Sequence, residues 1–130
     1  AATQRPDWLV DGYNVIQVTL LGGADRTGWW RRDARERLLD RVRWGAGELG
    51  PVWVVFDGPD PGPPPDDDAT LHVVFAPSAD EWILRRARTD PARAVVVTAD
   101  RRLAARCRRA GARIVPPGEF VTACRTEGTR

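Results

Sequence analysis

Short apolar runs recur along the chain, separated by stretches in which apolar residues return at helical spacing. Residues 8–10 (WLV), 52–56 (VWVVF), 71–75 (LHVVF), 94–98 (AVVVT) and 112–115 (ARIV) have the length and β-branched or aromatic content of strands. They are nearly continuous in apolar character rather than alternating. That pattern predicts strands covered on both faces, as in a parallel sheet. Between the first two runs, Trp30, Ala34, Leu38, Val42 and Leu49 mark one face of a helix whose other face carries Arg, Asp and Glu. Gly45, Gly47 and Gly50 loosen and end that helix before Pro51.

Capping signals place the remaining helices. Ser78-Ala79-Asp80-Glu81 has the form of a capping box, so a helix starts there with Ala79, Ile83 and Ala87 facing the core. A further helix runs from about Arg101 to Ala110, turns Leu103, Cys107 and Ala110 inward, and stops at Gly111. A last short helix, carrying Phe120 and Val121, is expected after Pro116-Pro117-Gly118. The predicted order is strand, helix, strand, strand, helix, strand, helix, strand, helix. Such alternation predicts an α/β layered fold with a mainly parallel central sheet.

At 130 residues and 42% hydrophobic content, the chain matches one ordinary domain. We expect residues 8–124 to form it, with 1–7 and 125–130 as tails. Residues 58–70 (GPDPGPPPDDDAT) hold five Pro and four Asp in thirteen positions, so they read as an exposed, semi-stiff loop joining two strands. No apolar stretch approaches the roughly 18 residues of a membrane span. Residues 1–7 lack the charged-then-apolar pattern of a signal peptide, and a soluble, cytoplasmic protein is expected.

Composition removes several chemistries. All 20 Lys+Arg residues are Arg, which excludes Schiff-base chemistry, a P-loop lysine and Ser-Lys dyads. One His and two widely separated Cys, Cys107 and Cys124, leave little for nucleophilic triads, zinc sites or redox pairs. Carboxylate, guanidinium and indole groups remain.

The carboxylates fall in a pattern. Asp11 ends the first strand, Asp57 the second, and Asp100 follows the fourth, while Asp80 lies in the first turn after the third. In open α/β sheets, ligands bind beyond the carboxyl ends of the strands. Four carboxylates brought to that edge repel one another, and a hard divalent cation such as Mg²⁺ or Mn²⁺ relieves the repulsion. Asp11 and Asp100 could each serve only as a helix cap, and Asp80 only as a first-turn acid. Capping does not account for Asp57, which precedes Gly58-Pro59 and a loop.

Other acidic-edge sites fail on what is missing. A receiver domain needs a Lys. A haloacid-dehalogenase-type site needs an Asp where Tyr13 stands, and a dinucleotide fold needs G-x-G-x-x-G where Asp11-Gly12-Tyr13-Asn14 stands. The reading that survives is a metal-dependent nuclease, in which carboxylates hold one or two metals that activate water and stabilise the leaving oxygen.

Four segments together, Asp11-Gly12-Tyr13-Asn14-Val15-Ile16, Val54-Val55-Phe56-Asp57-Gly58, Phe75 through Ser78-Ala79-Asp80-Glu81-Trp82-Ile83, and Val95-Val96-Val97-Thr98-Ala99-Asp100, resemble the YacP-like branch of the NYN domains, within the PIN-like ribonuclease superfamily. The resemblance runs from about Trp8 to Cys124. It implies a PIN-like three-layer α/β/α sandwich with a metal-dependent RNA-cleaving site. The family's catalytic acids fall on Asp11, Asp80 and Asp100, its accompanying Asn on Asn14, and its strand-two acid on Asp57, a further metal candidate.

Charge supports a polyanionic substrate. Residues 1–80 carry 8 Arg against 13 acids, a net −5, and residues 81–130 carry 12 Arg against 5 acids, a net +7. Arg85, Arg86, Arg101 and Arg102, on the two helices that follow Asp80 and Asp100, are candidate phosphate contacts, and Tyr13 is a candidate contact beside the first acid. Arg88, Arg106, Arg108 and Arg109 extend the basic faces, although such faces are also common solvated surface. One of Trp29 and Trp30 is a candidate stacking platform. Trp53 and Trp82 read as packing residues and His72 as a packed or loop-facing one.

The expected activity is thus a divalent-metal-dependent endoribonuclease acting on mRNA, rRNA or tRNA, with Mg²⁺ or Mn²⁺ as cofactor and a ribosome or regulatory protein as a possible partner. Two rival readings are a catalytically silent RNA- or ribosome-binding module and a toxin-type nuclease held by a protein partner. A DNA substrate is also open, because a carboxylate-metal site does not itself read the 2′-hydroxyl.

Overall fold

In the computed structural model, which describes residues 6–20, 31–45, 49–59 and 71–128, five strands form one sheet. They are β1 (Asp7–Asp11), β2 (Val52–Asp57), β3 (Leu71–Ala76), β4 (Ala94–Val97) and β5 (Arg113–Val115), and every pairing between them is parallel. Their spatial order is β3-β2-β1-β4-β5. From β1 the chain builds outward to β2 and β3, then returns to lay β4 on the other side of β1. The crevice between β1 and β4 is therefore the topological switch point, where ligands of open α/β sheets bind.

The helices are α1 (Gly12–Val15), continued by a π-helical turn (Ile16–Leu20), α2 (Arg31–Gly45), α3 (Ala79–Thr89), α4 (Arg101–Ala110) and α5 (Pro117–Gly128). Two buried clusters show which covers which face. Val10, Val54, Phe56, Leu71 and Val97 meet Val15, Ile16, Ala34, Leu38, Val42 and Phe120 of α1, its π turn, α2 and α5. Leu9, Val55, Ala76 and Val96 meet Ile83, Leu84, Leu103 and Cys107 of α3 and α4. This is a three-layer α/β/α arrangement. Strand positions of both parities are buried, which explains the continuous apolar runs.

The capping signals act as expected at two helices. Ser78 accepts from the Glu81 amide at 3.2 Å to open α3, and Gly111, at φ 106°, closes α4 in the left-handed region. Two elements differ. A helix follows Asp11 directly, and α5 begins at Pro117 rather than after Gly118 and extends to Gly128. Proline is at home in the first helical position, where its missing N–H has no intrahelical partner to lose.

Two glycines mark close approaches. A methyl group on Gly12 would enter the Phe56 ring, and one on Gly45 would meet the Cys124 backbone, so α2 and α5 touch main chain to main chain. The Pro/Asp-rich segment 60–70 and both Trp29 and Trp30 lie outside the described residues.

Candidate functional site

Asp11 ends β1 with only 6% of its surface exposed. It stands at the N-cap position of α1, yet its side chain makes no capping bond. Its partner is across the switch point. Val10 pairs with Val97, so the next rung sets Asp11 beside Thr98, whose hydroxyl donates to Asp11 Oδ2 at 3.0 Å. The same hydroxyl accepts from the Asp100 amide at 3.0 Å. Asn14, one turn beyond Asp11, accepts from the Ala99 amide through Oδ1 at 2.7 Å, with the Thr98 hydroxyl 3.5 Å away. Asp11, Asn14, Thr98 and the turn into α4 therefore form one bonded unit across β1 and β4.

The other acids surround it. Asp100 caps α4, its Oδ1 accepting from the Arg102 and Leu103 amides at 2.9 and 3.1 Å. Asp57 also caps: its Oδ1 accepts from the Ala79 amide at 2.7 Å, the first residue of α3. This corrects the expectation that capping has no part at Asp57. The capped helix begins 22 residues later in sequence. Asp80, in the first turn of α3, accepts no hydrogen bond from the described residues.

Burial drives the Asp11 carboxyl up to about 7, opposed by the Thr98 hydrogen bond and reinforced by the like charges of Asp80, Asp57 and Asp100. Asp80 is also pushed up, by desolvation first and then by Asp100 and Asp57, with Arg106 acting against them. Asp11 and Asp80 thus both feel the charges of Asp57 and Asp100, and a cation meeting the group would relieve that repulsion.

Oxygen donors of this kind suit Mg²⁺ or Mn²⁺. Among the described residues no three acidic, His or Cys side chains are gathered as a closed metal-holding group. That spacing is compatible with Mg²⁺, which keeps several waters and takes one or two carboxylates. The donor set thus fits a hard divalent ion without forming a cage for it.

The basic candidates divide. Arg85, Arg101 and Arg102 are exposed on α3 and α4, as are Arg88, Arg108 and Arg109. Arg86 is held elsewhere: its guanidinium lies 4.8 Å from the Trp53 ring centroid and 3.9 Å from Asp7. Arg106 pairs with Glu81 at 3.0 Å. Tyr13 packs on Phe56 and accepts a hydrogen bond from Arg35 Nη1 at 3.0 Å. His72 stacks on Trp53, with ring centroids 4.0 Å apart, and Trp82 lies against the same indole. Both therefore serve packing.

Thr98 and Arg35 were not singled out by sequence reasoning. For Thr98 a signal existed: it is the lone hydroxyl closing an apolar strand two residues before an acid. For Arg35 there was none, because its contacts are made 22 residues away at Tyr13 and on the β3 residue Phe75.

The YacP-like NYN domain family model matches residues 8–129, and the chain belongs to that family, so its acid-edged parallel sheet is a nuclease-type fold. Among solved structures, Rae1 (YacP) from Bacillus subtilis superposes with a TM-score of 0.72 at 24% identity, covering 92% of this chain and 73% of that one. A point mutant of the same protein gives a TM-score of 0.71 at 23% identity, with 92% and 74% covered. No curated protein matches the chain.

Proposed function

We propose that the chain is a divalent-metal-dependent endoribonuclease whose site is the carboxyl edge between β1 and β4. The observation that carries this reading is Asp11: a buried carboxylate at the switch point with three acids acting on it and, among the described residues, no cationic side chain paired with it. Asp11, Asp80 and Asp100, with Asp57 beside them, would hold Mg²⁺ or Mn²⁺, which would supply charge neutralisation at the scissile phosphate and acidity to an attacking water. That role for a metal also accords with membership of the NYN family.

The chain's own groups prepare the site. Asp11 would be favoured in its ionised form with a cation beside it, because the charge that burial and its acidic neighbours disfavour would then be compensated. Thr98 fixes Oδ2 of Asp11, which orients the carboxyl group. Asn14, tied through its carbonyl oxygen to the Ala99 amide, directs its NH₂ group away from that turn as a donor to water or a phosphate oxygen. Exposed Arg101 and Arg102, directly after Asp100, offer the forked donors that phosphates take. Tyr13 and Arg85 extend the RNA contact, while Arg86 stays with Trp53 and Asp7. Cytoplasmic action on RNA fits a chain in which no described helix is long and apolar enough to cross a membrane.

The test is cleavage of single-stranded RNA with Mn²⁺ by wild type, Asp11→Asn and Asp80→Asn. Cleavage lost in both variants and retained in wild type is expected; equal activity in all three overturns the assignment. The absence of a closed acidic group among the described residues favours one second reading, an RNA-binding module without catalysis. Salt-dependent RNA binding with no cleavage under any divalent ion would establish it.

A further inference from the structure

We propose that Arg35, seated between Tyr13 and Phe75, is a binding site for a backbone phosphate of single-stranded RNA flanking the scissile bond. The inference rests on the ribonuclease reading above and names a substrate contact on the face of the sheet opposite α3 and α4.

Placement is the first argument. The chain leaves β1 at the carboxyl edge and must reach the amino end of parallel β2, so the first turns of α2 stand at the carboxyl edge. Arg35 is in those turns. Its Nη1 donates at 3.0 Å to the hydroxyl of Tyr13, two residues beyond Asp11. Its guanidinium lies 5.5 Å from the ring centroid of Phe75, whose strand partner Phe56 immediately precedes Asp57. One guanidinium is thus fixed between the neighbours of two site acids.

Charge is the second. Arg106 pairs with Glu81, Arg93 with Asp7 and Asp90, and Arg43 with Asp40. Among the described residues no carboxylate pairs with Arg35. A phenol oxygen and an aromatic face position its guanidinium without neutralising it, and one donor in five is used there. A pre-oriented, half-buried guanidinium with unspent donors is a phosphate receptor of the kind that binds with geometry as well as charge.

Direction is the third. Arg101 and Arg102 begin α4 on one face of the sheet, and Arg35 lies on the other. An RNA strand with its scissile phosphate over Asp11 crosses this edge, so its neighbouring phosphates fall toward α4 on one side and α2 on the other.

The experiment uses the full chain and fluorescent single-stranded RNA, comparing wild type with Arg35→Gln and Arg35→Lys. For Arg35→Gln we expect KM to rise about tenfold with kcat little changed. RNA binding in EDTA should lose about 0.7 from its log–log salt slope, the share of one single-strand phosphate. Arg35→Lys should retain the slope.

A second measurement alters the RNA and compares wild type with Arg35→Gln. RNAs with single phosphates replaced by uncharged methylphosphonates should show one flanking position where wild type loses about tenfold and Arg35→Gln loses nothing more. Additive losses at every position overturn the proposal, as do an unchanged KM and slope in Arg35→Gln. If wild type neither binds nor cleaves RNA, the ribonuclease reading falls and this one with it. If wild type cleaves and Arg35→Gln matches it, only this proposal falls.

Discussion

The two ends of β1 carry the same side chain in opposite circumstances. Asp7, at the amino end, is buried and meets two cations, Arg93 at 3.4 Å and Arg86 at 3.9 Å. Asp11, four residues on at the carboxyl end, is buried with a hydroxyl for company and three acids nearby. The first is an ion pair that completes itself within the chain. The second is a carboxyl that no cation among the described residues compensates, and a group left that way in a folded protein points to a partner from outside.

The sharpest way to break this comparison is to neutralise each end in turn. Asp11→Asn should cut RNA cleavage by roughly 10³-fold, several kcal/mol of transition-state stabilisation. Asp7→Asn, at the far end of the same strand, should leave kcat near wild type. Equal losses in both would make Asp11 another structural acid.

Acidity gives the next effect, on the order of a few kcal/mol. The folded chain keeps a proton on Asp11 up to about pH 7, whereas an unfolded Asp releases it near pH 4. Folding therefore takes up a proton in that window, and metal-free stability falls as pH rises through it. Denaturant melts in EDTA should show wild type less stable at pH 8 than at pH 5. Asp11→Asn should flatten that slope and be the more stable protein at pH 8. Mn²⁺ should restore wild type at pH 8 but not the variant.

Thr98→Val should lower cleavage about 10- to 100-fold by freeing the Asp11 carboxyl to turn, with Thr98→Ser closer to wild type. The smallest effect belongs to the paired end. Asp7→Asn should cost roughly 1–2 kcal/mol in urea unfolding by leaving Arg93 and Arg86 with less of a partner.

Much of this architecture is readable from local pattern. Apolar runs gave five strands in the right places, and Ser78 and Gly111 marked helix ends because caps act within three residues of themselves. α1 escaped notice because Gly12, Tyr13 and Asn14 are poor helix formers, and its short turn is held by packing on Phe56. The candidate acids were legible as a set, since each ends a strand or opens a helix. What they bond to was not. The Asp57 cap on α3, the Thr98 bridge and the Arg35–Tyr13 contact all join residues far apart in sequence, and only the strand order β3-β2-β1-β4-β5 brings them together.

The Thr98 hydroxyl has one proton and two acceptors within reach, Asp11 Oδ2 at 3.0 Å and Asn14 Oδ1 at 3.5 Å. While Asp11 is charged, it claims that proton. Once Asp11 is protonated, the claim weakens and the hydroxyl is free to rotate toward Asn14. The charge on Asp11 would thus be registered in which partner the hydroxyl faces, and Thr98 would carry it from β1 to the turn that starts α4.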